Sequence, residues 1–464
     1  MNNQETLGEY ASGSTPDESA DQQINSRFWG EIPVEWDIAD PDQIYEVNPN
    51  PSATSSPNTY IEMDALDTEL PWPEYFGSRD ATEYSGKTFT KGDTLFARIT
   101  PCTENGKTAI VPEMETEVGI GSTEFAVLSP REDRIVPWFL YYLAKSHPVR
   151  NYAISRMRGS TGRQRVPFDV FRRELDYPLP PLKEQRKVAS VLHSVDLAIQ
   201  KSKEIISQTE RVRSGVIQDL VEQGLNSEGK LRAAFDAKPS LYEEKNGRTV
   251  PSTWSVAKLS DIGDWQSGKT PRKSVDEYWG GSIPWVSAKD MKTLRLSETE
   301  DKITESAVDD GAPLSPPDSL LILVRGMILD HTLPIVRPTE TVSFNQDVKA
   351  IHPNDQVNPD YLAYWLESNS EEVLALVTTA SHGTKRLATE ALGNLSIPVP
   401  PLEEQTEIVD RVREFDNKID VEKSHVDQLK SFKKGLLQDL LLGDVRTAGK
   451  EIDVPDEVKN YEPE

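Results

Sequence analysis

At 464 residues the chain has room for two or three domains, and 36% hydrophobic residues with a mean hydropathy of −0.55 exclude a membrane-dominated protein. A formal net charge of −26 argues against nucleic-acid binding over the whole surface, because phosphates need local positive charge; it also suits a salt-rich cytoplasm and a halophilic source. A single cysteine, Cys102, excludes a disulfide framework and a Cys-based zinc site, and the histidines show no ligand spacing, so no metal site and a cytoplasmic location are expected.

Residues 1–27 are rich in Gln, Ser, Glu and Asp and lack the basic start and apolar core of a signal peptide, so a disordered leader is expected. No apolar run approaches the ~20 residues that cross a bilayer; "LLILVRGMIL" (320–329) is too short and carries Arg325, so no membrane contact is expected. A first globular module is expected over 28–177. Near its end, eight basic residues face one acid, Asp169, across the 29 residues from Lys145 to Arg173. The centre, "RMRGSTGRQRV", mixes Arg and Gln, which read base edges, with Gly, which permits close backbone approach. Arg156, Arg158, Ser160, Thr161, Arg163, Gln164 and Arg165 are therefore candidate DNA contacts, the alternative being a solvated basic face that balances nearby acids.

At Pro178 the chain reads "PLPPLKEQRKV", and 220 residues later, at Pro398, it reads "PVPPLEEQTEI". The stretches 178–224 and 398–444 align without a gap and share a closing Gln-Asp-Leu. Each predicts a long helix: the prolines suit an extended entry and first turn, and none follows. Apolar residues at alternating spacings of three and four give matching seams, Val188, Leu192, Val195 and Ile199 in one copy, Ile408, Val412, Phe415 and Ile419 in the other. With Leu182, Gln185, Leu402 and Gln405 these are the candidate spacer-helix and partner-contact residues. Arg213 and Lys433 interrupt the seams at matching places, as do Ser202 and Glu422; an antiparallel pairing would let Arg213 face Glu422. Separate packing of each helix on its own domain is the alternative.

A linker over 225–249, a second module over 250–397 and an acidic tail over 445–464 complete the chain. The modules repeat faintly: Trp36 and Trp254 fall in register, and "GDTLFARI" (92–99) resembles "PDSLLILV" (317–324). Short Thr/Val/Ile strands with one or two helices give an α+β fold: two tandem mixed α/β modules, each followed by a long helix, the helices pairing as an antiparallel coiled coil.

In the second module "GDWQSGKT" (263–270) formally satisfies a phosphate-loop pattern. Its context is poor, with a half-polar strand before it and Pro271 after it, so Lys269, Thr270, Arg272 and Lys273 fit DNA contacts better. Lys289, Arg325, His382, Thr384, Lys385 and Arg386 join them, with Trp285 as an aromatic base contact. Trp72, Trp265, Trp279, Tyr84 and Tyr278 are weighed the same way and mostly favour a structural role. A nuclease-like Asp318 with Asp347-Val348-Lys349 is a pattern frequent by chance. No adenine-methylase Pro-Pro-aromatic signature exists.

Two modules, each followed by a helix opening with Pro-Leu-Pro-Pro-Leu-x-Glu-Gln or its close variant, resemble the specificity (S) subunit of type I restriction–modification systems. "SGKTPRKSVDEYWGGSIPWVSAKDM" (267–291) resembles a stretch common in that family's target-recognition domains; 48–66 follows the pattern only loosely. The resemblance spans about residues 28–446. It implies that each module reads half of a bipartite double-stranded DNA target and that the helices act as a spacer. It further implies two methyltransferase subunits using S-adenosylmethionine, restriction subunits using ATP and magnesium, and neither cofactor nor catalytic residue on this chain. A P-loop ATPase or nuclease, or an acidic coiled-coil scaffold without DNA binding, are the alternatives.

Overall fold

The strand that runs into each Pro-Pro phrase pairs antiparallel with the strand that follows each repeated tryptophan. Tyr177–Leu179 lies on Asp37–Ala39, and Ser396–Val399 lies on Ser255–Lys258. Proline has no N–H to continue a ladder, so both strands stop there, and the helices Leu182–Gln223 and Leu402–Leu442 begin at the next residue. Both helices end at a glycine with positive φ, Gly224 at +63° and Gly443 at +76°. A Cβ would collide with a neighbouring ring at each, that of Trp254 at Gly224 and that of Pro33 at Gly443.

The computed structural model describes residues 23–459 apart from 54–56, 81–85, 161 and 380–382. The expected leader therefore lies outside the described residues up to residue 22, as do Tyr84, Thr161 and His382. Gln23–Ser26, assigned to that leader, forms a strand paired with Gly30–Pro33. No helix among the described residues is long and apolar enough to cross a membrane.

The chain divides into two units, residues 1–204 with 423–464, and residues 205–422. Each contains one globular module and half of each long helix. In the first unit one sheet has the order 45–47, 125–130, 94–97, 108–110, and a second has the order 77–79, 58–61, 118–121, 87–90. The helix Pro137–Lys145 is buried along all but its last residue. Phe96, Leu128, Phe139 and Leu143 share a core with Val188, Leu192, Leu440 and Leu441 of the long helices. In the second unit the strands 263–267, 348–353 and 320–323 repeat the order of 45–47, 125–130 and 94–97, extended by 335–338 and 295–296. Leu321, Ile351, Tyr361 and Leu362 pack there with Ile217, Leu220, Ile408 and Val412. The α+β reading holds, and Val188, Leu192, Ile408 and Val412 of the seams close the module cores.

Within each unit the two helix halves run antiparallel and are pinned by matching polar contacts. Asp196, fully buried, pairs with Lys433 Nζ at 2.5 Å and accepts from the Tyr142 hydroxyl at 2.8 Å. In the second unit Asp416 accepts from Arg213 Nε at 2.5 Å and from the Tyr364 hydroxyl at 2.5 Å. Both partners in the second pair lie 220 positions from their counterparts in the first. Arg213 also binds Glu367, so the expected Arg213–Glu422 pair does not form. The reason is register: the antiparallel pairing that sets Arg213 against Asp416, itself held by the Tyr364 hydroxyl, leaves Glu422 six residues further along its helix.

The Glu-Gln of each Pro-Pro phrase forms the joint between module and helix. Gln185 and Gln405 are fully buried. Gln185 Oε1 accepts from Val136 N–H at 2.8 Å while its amide donates to the Arg134 and Pro180 carbonyls. Gln405 repeats this with Asn358 N–H at 2.7 Å and the Gln356 and Pro400 carbonyls. One position earlier, Glu184 accepts from the Trp36 indole and Arg446, and Glu404 from the Trp254 indole and Arg232. The stretch read as a linker is thus tied down through Arg232, and it carries a hairpin of Tyr242–Lys245 with Arg248–Pro251. The tail is also docked: Trp138 Nε1 donates to the Glu457 carbonyl at 3.0 Å, and Val458 is buried.

Candidate nucleic-acid interface

In both units the chain leaving the central strand is stitched to the segment that precedes the Pro-Pro phrase. In the first, Val166 N–H donates to the Arg98 carbonyl at 2.8 Å and Thr100 N–H to the Gln164 carbonyl at 3.0 Å. In the second, Leu387 N–H donates to the Val324 carbonyl at 2.9 Å and Gly326 N–H to the Lys385 carbonyl at 3.1 Å. Single β-bridges follow, Ile99 with Arg165 and Arg325 with Arg386. These bonds make Arg98 the counterpart of Val324, one position off the ungapped sequence match.

The "RGSTGRQR" segment is a loop closed on itself, with Arg158 and Arg165 exchanging backbone hydrogen bonds of 2.9 Å each. Gly159 and Gly162 turn it with φ of +129° and +79°, and a Cβ at Gly159 would sit 2.8 Å from the Arg163 carbonyl. Arg158, Ser160 and Arg163 are exposed, and no carboxylate among the described residues pairs with either arginine. Arg165 is held by Glu124 at 2.7 Å, Arg156 by Glu174 at 2.8 Å, and Gln164 is half-buried. Gly159→Val should therefore distort the loop while leaving the core intact. The expected outcome is an unchanged melting temperature with loss of first-unit DNA discrimination; a variant that discriminates like the parent would show the loop is not used.

The second unit builds a hairpin at the same place, Val377–Thr379 with Lys385–Leu387. Arg386 is exposed, Lys385 pairs with Asp330 at 2.7 Å, and Arg325 lies 3.8 Å from Asp347. Asp347 and Glu124 occupy equivalent positions, since their carbonyls accept from Val324 and Arg98 N–H respectively. Thr384, half-buried, precedes the hairpin's second strand. Arg272 and Lys273 are exposed; Lys269 donates to the Asp310 carbonyl and Thr270 to Gln346. Lys289 is neutralised by Glu300 and Asp301.

Two expectations need correction. Trp285 is 5% exposed and packs in a small core with Ile303, Ala307 and Ala312, its ring 5.2 Å from Trp279, so it cannot stack on a base. Lys145 does not belong to the basic surface: its ammonium donates to the Thr68 and Gly106 carbonyls at 2.8 Å each. Burial, then the like charge of Lys433, pushes it down to about 7.

The phosphate-loop pattern also dissolves. Gly263–Ser267 is a strand antiparallel to Val348–Pro353, and the next helical piece is the single turn Asp276–Tyr278. Gly268 is pressed against the Asn345 backbone, which leaves no cradle for a nucleotide. Asp347 and Lys349 of the nuclease-like pattern face Arg325 and Ser267.

Sequence reasoning missed Arg98, Lys87 and Phe168. Arg98 stands 4.1 Å over the Phe168 ring, and Lys87 lies 5.1 Å from the same centroid. A cation at the end of a buried strand was the available signal for Arg98; nothing marked Lys87, which lies far outside the basic run.

Two copies of one module, each carrying a cationic segment just before its Pro-Pro phrase and each jointed to a long helix, define a duplicated binding scaffold. Residues 45–211 and 251–431 match the family described as "Type I restriction modification DNA specificity domain". The chain belongs to that family. It is 36% identical over 160 residues to the EcoR124I/EcoR124II specificity subunit of Escherichia coli, a match covering 34% of this chain and 40% of that one. Against the MjaVIII specificity subunit of Methanocaldococcus jannaschii it is 25% identical over 343 residues, 71% of this chain and 75% of the relative. The solved S subunit of a type I restriction–modification system from M. genitalium shares the fold, with a TM-score of 0.52 at 15% identity over 88% of this chain and 96% of that one.

Proposed function

We propose that this chain is the DNA-reading subunit of a type I restriction–modification complex, each unit recognising half of a split double-stranded target. The observation that carries the reading is the equivalent loop in both units, Arg158–Arg165 beside Arg98 and Lys385–Arg386 beside Arg325. Arginines with free donors on glycine-turned loops suit the guanine edge in the major groove, where a good bidentate contact contributes about 1–3 kcal/mol of discrimination. Two different loop sequences on one duplicated frame read two different half-sites, as paired modules do on duplex DNA. The paired helices set the separation of the half-sites, and methyltransferase and restriction subunits are the protein partners. S-adenosylmethionine, ATP and magnesium belong to those partners, and the complex works in the cytoplasm.

The test is adenine methylation across the source genome, with and without this gene. Loss of one split motif, two short blocks around a fixed unread gap, is the expected result and supplies the target and spacer together. Retention of every split motif, in cells where the chain co-purifies with a methyltransferase, would overturn the reading.

A further inference from the structure

The cations gathered on Phe168 are arranged for an external anion. Arg98 Cζ, Lys87 Nζ and Arg172 Cζ lie 4.1, 5.1 and 5.7 Å from the ring centroid. They come from three separate places: a strand (Lys87–Thr90), the end of the central strand, and the turn Val170–Glu174. Among the described residues one carboxylate reaches the group, Glu124 at 3.6 Å from Arg98 Nη1, and it is already engaged by Arg165 at 2.7 Å. No carboxylate among the described residues pairs with Lys87 or Arg172. An aromatic face attracts each cation, but it does not relieve their mutual repulsion. Burial, then the charges of Arg98 and Arg172, pushes the Lys87 ammonium below its ordinary range. In a chain of net charge −26, three cations that share one acid among the described residues are a costly arrangement that a bound anion would offset.

The location indicates which anion. Arg98 Nε donates at 2.8 Å to the carbonyl of Val166, the residue that follows the glycine loop, so the cluster underlies the reading loop. We propose that Lys87, Arg98 and Arg172, on the Phe168 ring, form a seat for one backbone phosphate of the DNA that the first unit reads; this rests on the function proposed above. Such a contact fixes the register of the loop on the duplex and carries no sequence information itself.

The test uses the full chain and the Lys87→Gln/Arg172→Gln double variant, with Arg98 kept because it also braces Val166. Binding to a target duplex and to a scrambled duplex is measured over a salt series. The expected result is a loss on the order of tenfold for both duplexes alike, with the slope of log affinity against log salt shallower by about 0.9, the value for one phosphate. A loss confined to the target duplex, or an unchanged slope, would overturn the proposal. Inorganic phosphate is the second probe, read as thermal stabilisation: it should stabilise the parent and not the double variant, whose own melting transition reports that it is folded. Equal stabilisation of both sinks the seat. Stabilisation of the parent alone, with no DNA binding by the parent, keeps the anion seat and sinks the DNA reading.

Discussion

Lys433→Ala should destabilise the first unit by about 3–5 kcal/mol, because it strands the carboxylate of Asp196 in a fully buried site without its cation. Asp196 is fully buried, and its remaining contact is the Tyr142 hydroxyl at 2.8 Å. Burial already raises the Asp196 carboxyl above its ordinary range although Lys433 pulls it down, so removing the ammonium takes away the largest influence that opposes desolvation. The equivalent change in the second unit, Arg213→Ala, should cost less, about 1–3 kcal/mol, since the Asp416 side chain is 27% exposed and can be rehydrated. Urea unfolding followed by tryptophan fluorescence compares the two. The double variant Asp196→Asn/Lys433→Met should recover much of the loss, as neutral replacements of buried pairs generally do. Equal costs for Lys433→Ala and Arg213→Ala would show that burial is not what distinguishes these sites.

The second large effect is expected at Glu404. Its side chain is 11% exposed and pairs with Arg232 Nη2 at 3.0 Å, the Trp254 indole at 3.1 Å and Leu225 N–H at 2.8 Å. Glu404→Ala leaves a half-buried guanidinium and two N–H groups without partners at the point where the end of one helix meets the start of the other. The cost should again be about 3–5 kcal/mol, and a fall in melting temperature of roughly 10 °C. Glu404→Gln keeps an acceptor for the indole and should lose less than half as much. Glu184, with Trp36 and Arg446, predicts the same order in the first unit. Alanine and glutamine variants that melt alike would show the charge to be irrelevant.

These joints explain the repeated phrase. The proline pair ends a strand, the glutamine ties module to helix, and the glutamate receives the chain that follows the other helix. The sequence displayed the spelling but not the partners, because Gln185 and Val136, or Glu184 and Arg446, are brought together only by folding. The helices themselves were legible from spacing alone, and so was the glycine loop, whose charge contrast is local. Arg98, Lys87 and Phe168 were not: they lie on three segments, and no window of sequence contains them together. Lys145 misled for the converse reason, a cation counted with its neighbours in sequence while its side chain turned inward.

What the chain determines locally is therefore the duplication, the two helices with their proline starts and glycine ends, and the cationic loop. These follow from periodicity and backbone restriction within a few residues. Tertiary structure alone decided which carboxylate takes Arg213, that Trp285 is core, and which cations share the Phe168 ring. Each of those depends on desolvation and on distances between segments far apart in the chain, and burial, unlike periodicity, is a property of the packed whole.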